Sequence, residues 1–419
     1  MKKFIVFIIF LIFTCQVSYA QTRGQLNNPL EIGTSAKVIG LGGAYVGVAD
    51  DSNAIFTNPA GIGLLESFDI TSMYAKLIGE YKYLTFGIAL PTKLGSFGIG
   101  YVGNTVSGIP STIYNNGRVR ENGTFGAGES MGLLNYAYGN QIPDLSMYYS
   151  LVVNFKYYRQ FVNTSVRSSF GIDFGVLARM DMSHRSKLVN ELSVGVNLSN
   201  IYPIRMNVAN GGVDTMPFQP RFGFGVNMFK RKFLFAMDYY DRGLHFGAEY
   251  QAHPLLVVRG GLNKDDIVVG LGLRVDEMTS FNQDLNFEFD YAYQFNQTPL
   301  GGDNTHFFSM TFQGMMKKPY VRLDKPTENV FTTKEKNIVF EGKCRRKSNI
   351  TIFNNDLLVR DMETENDGFW QTRISLNEGK NIIKVYSGKR ATAKGRGAKT
   401  LEITYTPEQE TKKKKGYFN

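Results

Sequence analysis

Strict alternation at period two constrains this chain more than any other feature. In Asp284-Leu285-Asn286-Phe287-Glu288-Phe289-Asp290-Tyr291-Ala292-Tyr293-Gln294-Phe295 every odd position is large and apolar or aromatic, while the even positions are polar or small. A β-strand sends those two sets to opposite faces. The pattern recurs as Phe170, Ile172, Phe174 and Val176 against Gly171, Asp173 and Gly175. It returns as Leu192, Val194, Val196 and Leu198 against Ser193, Gly195 and Asn197, and as Ile267, Val269, Leu271 and Leu273 against Val268, Gly270, Gly272 and Arg274. Beyond the leader, no stretch approaches the ~18 consecutive apolar residues of a transmembrane helix.

Alternation also describes a soluble sandwich, so strand length decides between them. Segments such as 146–160 and 284–295 exceed the ~5–6 residues usual for soluble strands and suit the ~9–11 that cross a bilayer at a tilt. A closed barrel satisfies every backbone N–H and C=O in lipid, which an open sheet cannot do. Tyr148, Tyr149, Tyr157, Tyr158, Tyr239 and Tyr240 gather near strand ends, as an interfacial girdle requires. Strands are expected near 67–75, 80–90, 95–104, 128–138, 146–160, 166–180, 189–199, 219–229, 232–240, 244–251, 254–262, 266–275, 284–295 and 304–313. That even set of fourteen predicts an all-β, antiparallel transmembrane barrel with both ends on one side. The long connections 105–127 and 200–218 then fall on the opposite, extracellular side.

The two ends of the chain differ in kind. Lys2 and Lys3, an apolar run from Phe4 to Phe13 and Ser18-Tyr19-Ala20 predict a cleaved signal peptide over 1–20 and an exported protein. One cysteine, Cys344, remains after cleavage, which excludes an intramolecular disulfide. From Met315 to Asn419 the chain carries 23 Lys and Arg against 13 Asp and Glu, leaving 24 of each before it. The whole charge excess therefore belongs to the last quarter, where short β-like runs alternate with turns such as Asn354-Asn355-Asp356 and Asn366-Asp367-Gly368. A small β-sandwich is expected over 315–407, with Trp370 in its core, followed by a basic tail over 408–419.

Chemical handles are few. His184, His245, His253 and His306 are scattered without metal-ligand spacing, so neither a metal site nor a cofactor is expected. Gly128-Glu129-Ser130-Met131-Gly132 spells a nucleophile elbow but lacks the strand before it and the helix after it, and Tyr45 stands where a dinucleotide fingerprint from Gly40 needs its third glycine. No enzymatic activity is expected. In a barrel with its apolar face toward lipid, Lys156, Asp173, Arg179, Asp238, Glu249, Arg274, Glu288 and Asp290 point into the lumen, as a solvated or salt-bridged interior or as the lining of a substrate path. The basic clusters of the last quarter read as a solvated face or as a docking surface for an acidic partner, and nucleic acid is not expected in an exported protein.

The stretch GTSAKVIGLGGAYVGVADDSNAIFTNPAGIGLL, residues 33–65, resembles the N-terminal signature of the outer-membrane family that includes the fatty acid transporter FadL and the PorV and PorQ proteins. Residues 244–262 and 301–312 are similar to that family's late strands. The resemblance implies that residues 21–66 fold as a plug inside a fourteen-stranded barrel over 67–314. Gly42, Gly43, Asp50, Asp51, Asn58, Pro59, Ala60 and Gly61 carry the motif. It further implies passage of hydrophobic or other small molecules through the outer membrane, or else a PorV-like partnership in type IX secretion or envelope assembly. A transporter is expected to show an apolar tunnel past the plug, and a docking protein a sealed lumen. Asp50 and Asp51 are expected to pair with lumen Arg or Lys and so anchor the plug, and Pro59 to stiffen the exit toward the first strand. The last quarter resembles bacterial immunoglobulin-like modules, which an even strand count places in the periplasm.

Overall fold

The computed structural model describes residues 26–407, apart from 78–80, 93, 116, 143–144, 184, 209–210, 281–282, 297–303, 315–320, 345–348, 365–367 and 388–398. The expected signal peptide and basic tail lie outside the described residues, as do the basic residues Arg345, Arg346, Lys347, Lys389, Arg390, Lys394 and Arg396. The chain divides into two compact units, a barrel with its N-terminal segment and a module built largely from Met316–Asn419.

Fourteen strands close the barrel. They are β1 (Asp69–Lys76), β2 (Lys82–Thr92), β3 (Gly95–Asn115), β4 (Arg118–Ile142), β5 (Met147–Val162), β6 (Ser165–Asp181) and β7 (Val189–Tyr202), then β10 (Gln219–Met228), β11 (Phe233–Tyr240), β12 (Gly243–His253), β13 (Leu256–Leu262), β14 (Asp266–Ser280), β15 (Gln283–Asn296) and β16 (Thr305–Gly314). Neighbours in the chain pair antiparallel, and β1 meets β16 from Asp69↔Gln313 to Tyr74↔Phe308, which removes the edges. Tight turns use residues at positive φ, such as Asp241 (48°) and Arg242 (56°) between β11 and β12, as a type I′ hairpin needs.

The faces follow the alternation. Along β6, Gly171, Asp173, Gly175 and Leu177 are buried inward, while Phe170, Ile172, Phe174 and Val176 lie on the outer side. Leu134, Phe155, Val194, Ile267, Val269, Leu271, Phe308 and Phe312 likewise stay exposed on the outside. Polar residues inside and an apolar belt outside invert a water-soluble barrel and match one that spans lipid. Three of the girdle tyrosines do not fit it, and the first, Tyr148, shares the inward parity of Ser150, Val152 and Lys156 and lies opposite Arg179. Tyr158 and Tyr240 turn inward, where they contact the N-terminal segment, because their parity places them on the lumen face.

The expected loop 105–127 is a hairpin instead. β2 accompanies β3 only to Thr105 and β5 accompanies β4 only to Ala127, yet β3 and β4 stay paired up to Asn115↔Arg118. Two register shifts, after Val106 and after Pro110, absorb Gly108 on β3 and Gly123 on β4, and Pro110, paired with Thr124, is tolerated because β3 has there become an edge. The segment 200–218 also differs from a loop. It contains the hairpin of β8 (Ile204–Asn207) and β9 (Val213–Met216), whose Ile204, Met206 and Met216 are buried in the same core as the N-terminal segment.

The C-terminal module packs two sheets around one apolar core. One sheet has the order β17 (Val321–Lys325), β19 (Asn337–Cys344), β22 (Phe369–Ser375). The other runs β18 (Val330–Thr333), β24 (Lys399–Tyr405), β23 (Gly379–Ser387), β20 (Asn349–Asn354), β21 (Leu357–Glu363). Phe340 and Trp370 from the first meet Ile352, Ile383 and Leu401 from the second. Trp370 is fully buried, so it is a core residue and offers no face to a ligand.

Candidate functional site

Residues 26–65 fold inside the barrel, and their local structure follows from caps and glycines. Asn28 caps the 3₁₀ turn Pro29–Ile32, and Ser35 caps the helix Ala36–Gly40 by accepting from the Val38 N–H. Asn58 accepts from Ala60 N–H and opens the 3₁₀ helix Pro59–Leu64, with Pro59 at a position where a missing N–H costs nothing. The Asn-Pro-Ala-Gly stretch therefore starts the short helix that precedes β1. Gly42 (φ 63°) and Gly43 (φ 83°) make the turn after the first helix in a region that favours glycine.

The acidic pair holds the segment to itself. Lys37 Nζ lies 2.8 Å from Asp50 Oδ1 and 2.7 Å from Asp51 Oδ2. The Tyr45 hydroxyl donates to Asp50 at 2.9 Å and to Asp51 at 2.7 Å, and Asp51 also accepts from the Asn53 N–H at 2.8 Å. Burial alone pulls the Lys37 ammonium down, but Asp50 and Asp51 outweigh it and hold the group well above its ordinary range. Of the expected wall cations, Arg179 acts on Asp50 electrostatically. The ion-pair partner of both aspartates is the segment's own Lys37, thirteen and fourteen residues earlier, which reaches them because Gly42-Gly43 reverses the chain between.

The barrel holds the segment by other means. Asp238 Oδ2 accepts from the backbone N–H of Tyr45 and of Val46, each at 2.7 Å, with its side chain buried. Asn58 Nδ2 donates to Val46 O at 2.9 Å and to Val176 O of β6 at 3.1 Å, while Asn197 donates to Thr57 O at 2.9 Å. Arg179 donates to Ala49 O. Toward the β1 end, Ser52 donates to Asp69 at 2.6 Å, and Thr71 donates to Asn53 at 2.8 Å. At the other end, Tyr83 donates to Pro29 O and Gly33 O, and Leu26 N–H to Thr215 O of β9. Lumen glycines bring the two backbones together. A Cβ at Gly261 would lie 2.0 Å from Gly42 N, and one at Gly195 would lie 2.1 Å from Val46 O.

All eight predicted lumen residues face inward, in three places. Arg179 and Asp238 contact the segment. Lys156 and Asp173 form a buried pair at 2.7 Å. Glu249, Arg274, Glu288 and Asp290 gather around a residue the sequence reading passed over, Arg259. Its side chain is fully buried and meets Glu249 at 2.7 Å, Glu288 at 2.6 Å and Asp290 at 2.5 Å, with Arg274 3.0 Å from Glu288. The signal was present: Leu256, Val258 and Leu262 face outward on β13, so the parity of Arg259 is inward. Among the described residues no cluster of His, Cys, Asp and Glu is suited to a metal ion.

No family model matches the sequence, and no curated protein matches it. Solved structures are similar to it only remotely. A FadL homologue of Pseudomonas aeruginosa aligns at 12% identity and a TM-score of 0.42, covering 67% of this chain and 98% of that one. The toluene transporter TodX of Pseudomonas putida aligns at 10% identity and a TM-score of 0.42, covering 70% of this chain and 99% of that one. A likeness this distant transfers no property, and the barrel's architecture rests on its own strand pairing.

Proposed function

We propose that the protein is an outer-membrane barrel of the FadL superfamily that passes hydrophobic or other small molecules, with residues 26–65 as the gate. What carries this reading is how the segment is attached. Its internal ion pairs join Lys37, Asp50 and Asp51 into one unit, while many of its bonds to the wall run from single side chains to backbone groups, as at Asp238, Asn197 and Tyr83. Bonds of the second kind can be replaced by water, so the unit can shift without unfolding. In this reading Gly42, Gly43, Asp50, Asp51, Asn58, Pro59, Ala60 and Gly61 shape the gate and Asp238 latches it. Both ends of the barrel face the periplasm, where residues 316–407 form an immunoglobulin-like module.

The test is a lock. Asn53→Cys with Thr71→Cys places two thiols where a 2.8 Å hydrogen bond now joins gate to wall. Oxidation is expected to abolish uptake of a hydrophobic probe by proteoliposomes, and reduction to restore it. Equal uptake in the two states, with the disulfide verified, refutes gating by this segment.

One observation favours a second reading. The segment is buried along most of its length, and a barrel that works while sealed is a platform rather than a conduit. The β3–β4 hairpin beyond Thr105 and the basic module then supply contacts for a PorV-like secretion or envelope-assembly partner. Deleting Met315–Asn419 is expected to release the barrel from isolated envelope complexes. Unchanged retention counts against the module as the docking element.

A further inference from the structure

Three buried side chains on neighbouring strands combine an amine, a carboxamide and a carboxyl group. Lys156 on β5, Asp173 on β6 and Asn200 near the end of β7 are each more than nine-tenths buried. Lys156 Nζ lies 2.7 Å from Asp173 Oδ1 and 2.6 Å from Asn200 Oδ1. Asp173 is fixed in place, because Asn154 Nδ2 donates to its Oδ2 at 2.8 Å and the Asn200 backbone N–H donates to its Oδ1 at 2.6 Å. The Asn200 amide is fixed as well, its Nδ2 donating to Pro217 O at 2.9 Å. This meeting occurs where the wall is discontinuous. The β6–β7 register jumps between Ile172↔Tyr202 and Phe174↔Leu198, and Asn200 adopts a left-handed backbone with φ 58°.

We propose that Lys156 and Asn200 condense into a side-chain amide cross-link, with Asp173 as the proton carrier. A buried ion pair is costly to keep, and transferring the Lys156 proton to the Asp173 carboxylate leaves a neutral amine beside a neutral acid. A desolvated lysine amine is a competent nucleophile toward a carbonyl carbon. Its lone pair attacks Asn200 Cγ and forms the Nζ–Cγ bond. Asp173 gives its proton to Nδ2 and takes one from Nζ, the Cγ–Nδ2 bond breaks, and one ammonia leaves. No electron changes hands and no co-reactant enters. Nζ at hydrogen-bond distance from Oδ1 needs only a side-chain rotation to reach Cγ, and the fixed neighbours hold that approach. The product staples β5 to β7 across β6 at the point where the backbone ladder fails.

The experiment is peptide mapping of the purified full-length protein by mass spectrometry, together with its intact mass. The expected result is a branched tryptic peptide joining Lys156 to Asn200 with the mass of one ammonia missing. The link is absent from Lys156→Arg and from Asn200→Ala. Cyclisation of an N-terminal glutamine also loses ammonia but persists in Lys156→Arg, so only the localised branch counts. If folded, heat-modifiable wild-type protein yields separate, unlinked peptides for Lys156 and Asn200, the proposal is overturned, and this holds whether or not any variant folds.

Discussion

Asp238→Ala is the sharpest perturbation of the proposed gate. The buried carboxylate accepts two 2.7 Å bonds from the consecutive N–H groups of Tyr45 and Val46, and these lie on the turn that follows Gly42-Gly43. A hydrogen bond to a charged group contributes about 1.5–3 kcal/mol, so losing two weakens the seated state by about 3–6 kcal/mol. Each 1.4 kcal/mol is a factor of ten, so the population with a released turn is expected to rise by about two to four orders of magnitude. Hydrogen exchange at the Tyr45 and Val46 amides in nanodisc-embedded protein reads that population directly, and single-channel conductance reads whether release opens the lumen. Asp238→Asn keeps an acceptor but not its charge, and is expected to give a smaller effect. Asp265→Ala, in the exposed β13–β14 turn, serves as the control. If Asp238→Ala folds into a heat-modifiable barrel and both amides exchange at the wild-type rate, the latch assignment is wrong.

Other sites test the same picture. Gly261→Ala places a methyl group 2.0 Å from Gly42 N and is expected to unseat the segment and raise conductance, whereas Gly260→Ala, with open space around its Cβ, is expected to change nothing. Arg259→Leu leaves Glu249, Glu288 and Asp290 without their shared cation. The expected loss is about 3–5 kcal/mol of barrel stability, measured as a lower midpoint of heat modification. Trp370→Ala removes the largest fully buried side chain of the module and is expected to cost about 3–5 kcal/mol. Limited proteolysis of the full chain then degrades 316–407 while the barrel persists, and equal resistance of both variants to protease contradicts a core role.

The wall was legible because its physics is local. Alternation assigns each residue a face, and the fourteen expected strands match the fourteen of the closed sheet. Applied without exception, the same parity places Arg259 in the lumen and turns Tyr148, Tyr158 and Tyr240 away from a girdle. Composition misled where parity was set aside. The segment 105–127 reads as a connection, yet β3 and β4 stay paired through it, with register shifts that take up Gly108 and Gly123. The contacts between the N-terminal segment and the wall were not legible, because they join residues far apart in sequence. Nothing near Tyr45 announces Asp238, 193 positions later.

The glycines of the opening motif show the difference most clearly. Their turn-forming role at Gly42 and Gly43 follows from the sequence, but their second role depends on matching glycines in the wall. A Cβ on Gly42 would lie 2.6 Å from Leu262 N, and one on Gly261 would lie 2.0 Å from Gly42 N. The same reciprocity joins Gly47 to Gly223, where each added Cβ would meet the other's backbone at 2.6 Å or less. Side-chain packing tolerates compensating changes of volume, but backbone against backbone leaves no atom to trim. An alanine on either side of such a contact therefore has no partner substitution that restores it. If the segment gates the lumen as proposed, these backbone contacts require it to move as a body.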